Sequence, residues 1–262
     1  MVAGTRARAG LMAATPIYDR IGRGYAQRRQ PDPRIAARIV RALGDARTIV
    51  NVGAGAGSYE PDDRDVVAVE PSEVMIRQRP RHLAPPVRAV AEALPFRDGA
   101  FDAALAVLTV HHWTDPGQGL AELRRVARRH VVLTGDTALL NDFWLNRDYL
   151  GLPKAFDDGL PSLGWTVAAL APARVESVPI PHDCRDGFYA AYWQRPEAYL
   201  DPEVRDAISC FGLIPPDVVE NAVRQLAADL ESGEWRRRNA ALLALDELDL
   251  GYRLVVSKRD PV

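Results

Sequence analysis

Three glycines and a glutamate stand at a spacing that suits a nucleoside-containing cofactor. The run Gly53-Ala54-Gly55-Ala56-Gly57 directly follows an apolar segment that ends at Val52. Glycines at such a turn let the backbone approach a ligand without a clash from a Cβ atom. Glu70 ends the next apolar segment, 17 residues after Gly53. A carboxylate at that place can accept hydrogen bonds from both hydroxyls of a ribose.

The stretch that follows the glycines distinguishes between classes of cofactor. A dinucleotide fingerprint places its third glycine three residues after the second, where this chain has Ser58. Only residues 58–65 precede the next strand, and Pro61 interrupts them, so one or two helical turns fit at most. A pyrophosphate is stabilised by a helix N-terminus behind the loop. The spacing therefore favours S-adenosylmethionine over a nicotinamide cofactor, and a tight turn without a ligand is the structural alternative.

A second group of chemically capable residues follows a later apolar segment. His111 and His112 come directly after the run that begins at Phe101. Histidine titrates near neutral pH, so either imidazole could act as a general base. The alternative is that one of them packs in the core or contacts the cofactor. Trp113 is expected either to line a substrate pocket or to fill the core.

The elements that must position these residues alternate between strands and helices. Short apolar runs without polar alternation are typical of strands buried on both faces of a parallel sheet. Strands are predicted at 48–52, 66–69, 87–91, 101–107, 130–133, 174–180 and 248–257. Helices are predicted at 15–29, 34–43, 72–79, 116–127 and 141–150. This order indicates a doubly wound α/β fold.

Four segments together resemble class I S-adenosylmethionine-dependent methyltransferases, in particular the small-molecule branch with the ubiquinone/menaquinone-type enzymes. The segments are Asn51–Gly57, Val67–Ser72, Ala91–Phe96 and Phe101–Trp113, in the order typical of the family. The resemblance covers about residues 15–135. It implies a mostly parallel, seven-stranded Rossmann-like sheet with an antiparallel last strand. It also implies transfer of a methyl group by in-line displacement to an oxygen, nitrogen or carbon atom of a small molecule.

The resemblance also implies roles for individual residues. The expected cofactor-binding residues are Tyr18, Tyr25, Gly53, Ala54, Gly55, Glu70, Pro71, Ser72, Met75, Ala91, Glu92, Ala93, Leu108 and Thr109. His111 and His112 are the catalytic candidates. Two positions depart from the family pattern: Asn51 stands where the family usually has an acid that helps to order the cofactor ammonium, and Val90 stands where an aspartate is common.

The second half of the chain is expected to determine the substrate. We predict an N-terminal helical cap over residues 1–46, a cofactor-binding core over 47–183, a helical substrate cap inserted over 184–246, and a final strand over 247–262. The expected substrate-binding residues are Trp113, Trp144, Arg147, His182, Tyr189, Tyr192 and Trp193. An aromatic stripe at helical spacing is also typical of a core, and this alternative stays open.

Composition limits the remaining classes. The formal net charge of −2 lacks the basic excess of most nucleic-acid-binding proteins. No apolar run approaches the roughly 18 residues of a membrane-spanning helix, and the N-terminal apolar run is too short for a signal peptide. Two cysteines, Cys184 and Cys210, fit neither a metal site nor a disulfide framework. We therefore expect a cytoplasmic monomer or homodimer with a small-molecule substrate, no metal, no membrane partner and no nucleic acid.

Two alternatives to a small-molecule methyltransferase remain. Residues 1–41 carry nine arginines and could guide an RNA methyltransferase to its substrate. Asn51 gives some weight to a non-catalytic protein that binds S-adenosylmethionine or serves as a scaffold.

Overall fold

The computed structural model describes residues 25–151 and 161–259. Its core is a six-stranded sheet in the order β2-β1-β3-β4-β8-β5. The strands are β1 (Thr48–Val52), β2 (Asp65–Val69), β3 (Phe101–Val107), β4 (Ala127–Gly135), β5 (Ala173–Ser177) and β8 (Tyr252–Lys258). The pairs β1–β2, β1–β3 and β3–β4 are parallel, and β8 is antiparallel to both of its neighbours. The predicted mostly parallel sheet with an antiparallel last strand is confirmed.

Helices and short turns surround this sheet. The α-helices are α1 (Tyr25–Arg28), α2 (Pro33–Leu43), α3 (Glu73–Arg77), α4 (Pro116–Val126), α5 (Thr137–Asn141), α6 (Leu163–Ala169), α7 (Pro202–Asp206), α8 (Pro216–Glu231) and α9 (Glu234–Arg238). Single turns of 3₁₀-helix lie at Val110–His112, Pro196–Leu200, Ser209–Leu213 and Ala240–Ala244, and Asn146–Leu150 forms a π-helical turn. No helix of the described residues is long and apolar enough to cross a membrane.

The two faces of the sheet have separate hydrophobic cores. One core combines Ile35, Ile39 and Leu43 of α2 with the aromatic side chains of residues 143–235. The other packs Leu120 and Leu123 of α4 against the opposite face. The helices that cover the faces begin where the sequence allows it: Asp32 and Asp115 each accept a backbone hydrogen bond, and a proline follows each of them.

The strand count differs from the prediction. Seven strands were expected, but residues 87–91 contribute only an isolated parallel bridge between Val87 and Val69. Val69 is the last residue of β2, so the residues after Val87 extend beyond the strand that would pair with them. Pro85 and Pro86, which lack a backbone N–H, immediately precede the bridge. The edge of the sheet beside Glu70 is therefore a loop.

One helical prediction changes in detail, and one segment agrees with its prediction. The segment 58–65 contains turns and no helix, within the limit of one or two helical turns that its length and Pro61 set. The predicted helix at 141–150 is two pieces, α5 and the π-helical turn at Asn146–Leu150.

Residues 182–246, between β5 and β8, contain α7, the 16-residue helix α8, α9 and three single turns of 3₁₀-helix. A two-stranded sheet closes the base of this group, where β6 (Ile180–Pro181) pairs antiparallel with β7 (Glu247–Leu248). The division of the chain into caps and core at 46, 183 and 246 stays a prediction.

Candidate cofactor and active site

The glycine loop needs glycine for two physical reasons. Gly53 and Gly55 have φ angles of 71° and 54°, which side chains with a Cβ atom rarely adopt. A Cβ atom at Gly53 would lie 2.0 Å from Oγ1 of Thr109, and one at Gly55 would lie 3.2 Å from Cε of Met75. The loop is therefore packed tightly between the end of β3 and helix α3.

Glu70 is oriented by the backbone around it. Its Oε2 atom accepts a hydrogen bond from Gly55 N at 2.8 Å, and Oε1 accepts one from Ser72 N at 2.8 Å. The residue is only 5% exposed, while each carboxylate oxygen can accept more than one hydrogen bond. The position and chemistry of Glu70 fit the ribose hydroxyls of the cofactor.

Helix α3 and the loop after Val87 carry the residues that were expected to border the adenosine. Ser72 caps α3 by accepting a hydrogen bond from Met75 N at 3.2 Å, and Pro71 lies between this cap and Glu70. Ala91 is buried, and Ala93 is exposed with its N–H donated to Val90 O. The side chain of Glu92 accepts a hydrogen bond from Asp115 N at 3.0 Å, which fixes this loop to the start of α4.

The end of β3 bends sharply towards the glycine loop. Leu108 has a φ of 50° and donates its N–H to Leu133 O on β4. Thr109 is buried beside Gly53, and His111 and His112 follow in a 3₁₀ turn with their ring centroids 3.9 Å apart. This bend brings the two imidazoles to the same edge of the sheet as the glycine loop.

Both imidazoles are neutral at physiological pH. Burial, followed by the positive charge of Arg29, lowers the pKa of His111 to about 4. Burial, then His111 and then Arg29, lowers the pKa of His112 to about 2. A neutral imidazole can accept a hydrogen bond or a proton, but at such a low pKa it is a weak base.

A buried ion pair joins the N-terminal segment to the insertion beside these histidines. Nε and Nη2 of Arg29 contact the two carboxylate oxygens of Asp186 at 2.5 and 3.3 Å. Tyr59 donates its hydroxyl to Oδ2 of Asp186 at 2.9 Å, and burial raises the pKa of Tyr59. The guanidinium also lies 6.0 Å from the ring centroid of Phe188. We call Arg29, Tyr59 and Asp186 the seam, because they connect three distant parts of the chain.

Three of the expected substrate-binding aromatic residues lie in the core. Trp193 is 0% exposed and donates its indole N–H to Ile180 O at 3.0 Å, while Trp144 donates to Trp193 O at 2.9 Å. Tyr189 is 7% exposed, and its ring packs edge-on against Phe143. These side chains pack in the core, and their expected contact with a substrate stays a prediction.

The other expected substrate residues lie at separate places. Arg147 is on the surface, where it pairs with Asp148 at 2.7 Å. His182 lies at the base of the insertion, and its backbone N–H donates to Asp246 O. Trp113 packs against Gly119 of α4, on the face of the sheet away from the insertion. Tyr192 is half-buried, and its hydroxyl lies 2.8 Å from where a Cβ atom at Gly187 would be, beside Arg28 O.

Two cofactor predictions extend beyond what the structure describes. Tyr18 lies outside the described residues, and Tyr25 begins α1 without a described side chain. The roles of all the site residues remain predictions.

No local sequence pattern indicates the seam. Arg29 is one of nine arginines in the first 41 residues, and nothing local distinguishes it. The buried pair of Glu60 and Arg79 was not predicted either; its side chains are each 4% exposed and lie 2.9 Å apart. No group of three or more metal-ligating side chains occurs in the described residues.

Comparisons with known proteins agree with this geometry. A family model described as a methyltransferase domain matches residues 50–134. The crystal structure of a protein from Anabaena variabilis ATCC 29413, described as a methyltransferase from an antibiotic biosynthesis pathway, superposes with a TM-score of 0.81. The two sequences are 33% identical, and the match covers 89% of this chain and 100% of that one.

Two curated relatives match over shorter stretches. The malonyl-[acyl-carrier protein] O-methyltransferase of Pseudescherichia vulneris is 33% identical over 124 residues, which is 44% of this chain and 49% of the relative. The tRNA (carboxymethyluridine(34)-5-O)-methyltransferase alkbh8 of Xenopus tropicalis is 25% identical over 179 residues, or 66% of this chain and 28% of the relative. The chain thus spans about half the length of the first and about a quarter of the second. Together with the sheet, the glycine loop and Glu70, these matches show that the chain belongs to the class I S-adenosylmethionine-dependent methyltransferases.

Proposed function

We propose that this protein transfers a methyl group from S-adenosylmethionine to an oxygen, nitrogen or carbon atom of a small molecule. The observation that carries the proposal is the pair of neutral imidazoles, His111 and His112, at the same edge of the sheet as the loop that Glu70 holds. The cofactor, when bound, supplies a methyl group on a positively charged sulfur. The residues of the chain must align the acceptor atom with that methyl group and exclude water.

The low pKa of His111 narrows the class of acceptor. An imidazole with a pKa of about 4 removes a proton poorly from a weakly acidic group such as an alcohol. The acceptor that suits it is an acidic group, for example a carboxylic acid or an acidic phenol, which ionises with little help.

Two observations support a small-molecule acceptor over RNA. The structure from Anabaena variabilis, 33% identical and matched over its whole length, is described as belonging to an antibiotic biosynthesis pathway, whereas the tRNA-modifying relative shares 25% identity over 28% of its length. The formal net charge of −2 is also unlike that of most RNA-binding proteins.

Calorimetric titration with S-adenosylmethionine tests the cofactor half of the proposal. We expect wild-type protein to bind, and Glu70→Ala to weaken binding by roughly a hundredfold, because a buried charged acceptor is lost. Glu73→Ala is the matched control, since this nearby carboxylate is half-exposed and pairs with Arg88 on the surface. Equal affinity of wild type and Glu70→Ala would refute the assignment.

Methyl transfer tests the acceptor half. Release of S-adenosylhomocysteine should be measured with a panel of small carboxylic acids, phenols and amines, and with total tRNA. We expect turnover with an acidic small molecule, and reduced but not abolished turnover in His111→Ala, because such an acceptor ionises with little help from a base. Turnover with tRNA alone would contradict the small-molecule assignment and favour the RNA alternative.

A further inference from the structure

Asn51 occupies the place where the family usually has an acid, and the structure shows what accompanies this change. The residue lies on β1, two positions before Gly53, and is only 2% exposed. Its Nδ2 atom donates a hydrogen bond to Oε1 of Glu60 at 3.0 Å. The carboxylate that position 51 lacks is therefore present in the structure at its side, nine residues further along the chain.

Glu60 is held in place by a buried arginine under the glycine loop. Nη1 and Nη2 of Arg79 contact the two oxygens of Glu60 at 3.1 and 2.9 Å. Nη1 also lies 3.4 Å from Gly55 O, and a Cβ atom at Gly57 would lie 3.2 Å from it. The turns at 58–65 thus place the carboxylate of Glu60 beside the end of β1.

This contact determines which way the amide of Asn51 faces. A carboxylate only accepts hydrogen bonds, so the amide must turn its NH₂ group towards Glu60. Within residues 25–151 and 161–259, Oδ1 of Asn51 has no hydrogen-bond partner. The amide therefore presents one defined acceptor atom at the point where the glycine loop begins.

The topology places this acceptor beside the amino-acid end of the cofactor. Glu70 suits the ribose at the end of β2, and β1 lies between β2 and β3. A ligand that extends from Glu70 towards the histidines after β3 must pass over the end of β1. The methionine part of S-adenosylmethionine, which carries an ammonium group with only hydrogen-bond donors, fits an amide oxygen there.

We propose that Oδ1 of Asn51 accepts a hydrogen bond from the cofactor ammonium, and that Glu60 is a positioning residue that fixes the Asn51 amide for this contact. The Glu60–Arg79 pair thereby acts on the cofactor only through Asn51. This inference rests on the family cofactor and concerns only how its amino-acid end is recognised.

Two ligands separate recognition of the ammonium from general support of the loop. S-adenosylmethionine carries the ammonium, whereas 5′-methylthioadenosine has the same adenosine part without the amino acid. We expect Asn51→Ala, which leaves the Glu60–Arg79 pair intact, to weaken binding of S-adenosylmethionine by roughly tenfold. Binding of 5′-methylthioadenosine, measured by the same calorimetric titration, should stay unchanged.

Exchanging the amide of position 51 and the carboxylate of position 60 tests whether the affinity for S-adenosylmethionine can be restored. Glu60→Gln alone should lower the affinity for S-adenosylmethionine, because an amide partner no longer defines the orientation of Asn51. It also removes the counter-charge of Arg79, and titration of this variant with 5′-methylthioadenosine measures that loss by itself. The double variant Asn51→Asp/Glu60→Gln keeps one carboxylate and one amide in contact with reversed donor and acceptor. We expect it to recover the affinity for S-adenosylmethionine to within about threefold of wild type, since a carboxylate then faces the ammonium directly.

The outcomes distinguish this inference from the proposed function. Equal losses for both ligands in Asn51→Ala, or no loss for either, would overturn the role of Asn51. Failure of the double variant to exceed Glu60→Gln would overturn the positioning role of Glu60. Absence of S-adenosylmethionine binding by the wild type would instead refute the proposed function itself, and the inference with it.

Discussion

The cofactor side and the substrate side of the site are assembled from contacts of very different range. Glu70 is fixed by the N–H groups of Gly55 and Ser72, which are 15 and 2 positions away. The seam beside the histidines instead joins Arg29 to Asp186 over 157 positions and Tyr59 to Asp186 over 127. The cofactor side is therefore local in sequence, whereas the proposed substrate side depends on the contact between the N-terminal segment and the insertion.

This difference has a functional consequence. A local site keeps its shape as long as two strands and their loops are intact, so it suits a cofactor that all relatives share. A site made by distant segments can change when an insertion changes, while the sheet remains the same. The division explains how one fold can hold one cofactor and accept many substrates.

The largest effect is expected from Gly53→Ala on the cofactor side. The added Cβ atom would lie 2.0 Å from Thr109 Oγ1 at a φ of 71°. Left-handed backbone and overpacking together should destabilise the fold by up to about 5 kcal/mol, and binding of S-adenosylmethionine should be lost. Urea unfolding and calorimetric titration measure the two quantities.

Gly164→Ala is the matched control for that change. Gly164 lies in α6, and a Cβ atom there would meet nothing within 4 Å. Because alanine favours a helix over glycine by about 1 kcal/mol, this variant should be as stable as wild type or slightly more stable. Similar losses in both variants would show that the glycine loop is not under a special constraint.

The seam should be the most sensitive part of the substrate side. Asp186 is 0% exposed, and Asp186→Asn would leave the 10% exposed side chain of Arg29 without its buried counter-charge. Breaking a buried pair from one side typically costs about 4 kcal/mol, so the free energy of unfolding should fall by that order. Denaturant unfolding of the wild type and the variant gives the value.

A nearby surface aspartate calibrates this expectation. Asp183 is 60% exposed at its side chain and pairs with Arg34, which is also largely exposed. Solvent screens such pairs, so Asp183→Asn should leave stability unchanged within measurement error. If both variants lost the same stability, the long-range contact of the seam would have no special importance.

The same contrast of range explains what could be predicted from the sequence. The glycine loop, Glu70 and helix α2 follow from patterns within about twenty residues, and the structure contains each of them. The strand predicted at 87–91 was wrong. The length of a strand at this edge depends on where β2 ends, and the apolar run at 87–91 does not reveal this.

The contacts of the proposed substrate side could not be predicted from such local patterns. Trp144 and Trp193 stand at positions that suit either a pocket or a core, and only the packing of the insertion shows that they are buried. Arg29 and Asp186 carry no local signal, because a pairing over 157 positions leaves no periodicity in the chain. A sequence comparison that detects correlated changes between these two positions could have found them.

The smallest of the three effects is a loss of stability in acid. It allows a comparison between His130, a histidine of the sheet, and His111, a histidine of the site. Burial lowers the pKa of His130 on β4 to about 4, as it does that of His111. In the unfolded chain each of these imidazoles binds a proton near pH 6.5. The free energy of unfolding therefore falls as the pH drops from about 6.5 to 4, and it does not change for this reason above pH 6.5. His130, which is 2% exposed and lies 2.7 Å from Ser257 Oγ through Nδ1, should account for about 3 kcal/mol. Urea unfolding at pH 7 and pH 4 should show this loss, and His130→Gln and His111→Gln should each reduce the difference in the free energy of unfolding between the two pH values. If only His130→Gln reduced this difference, the imidazole of His111 would be solvated, and the proposed substrate side would be open to water.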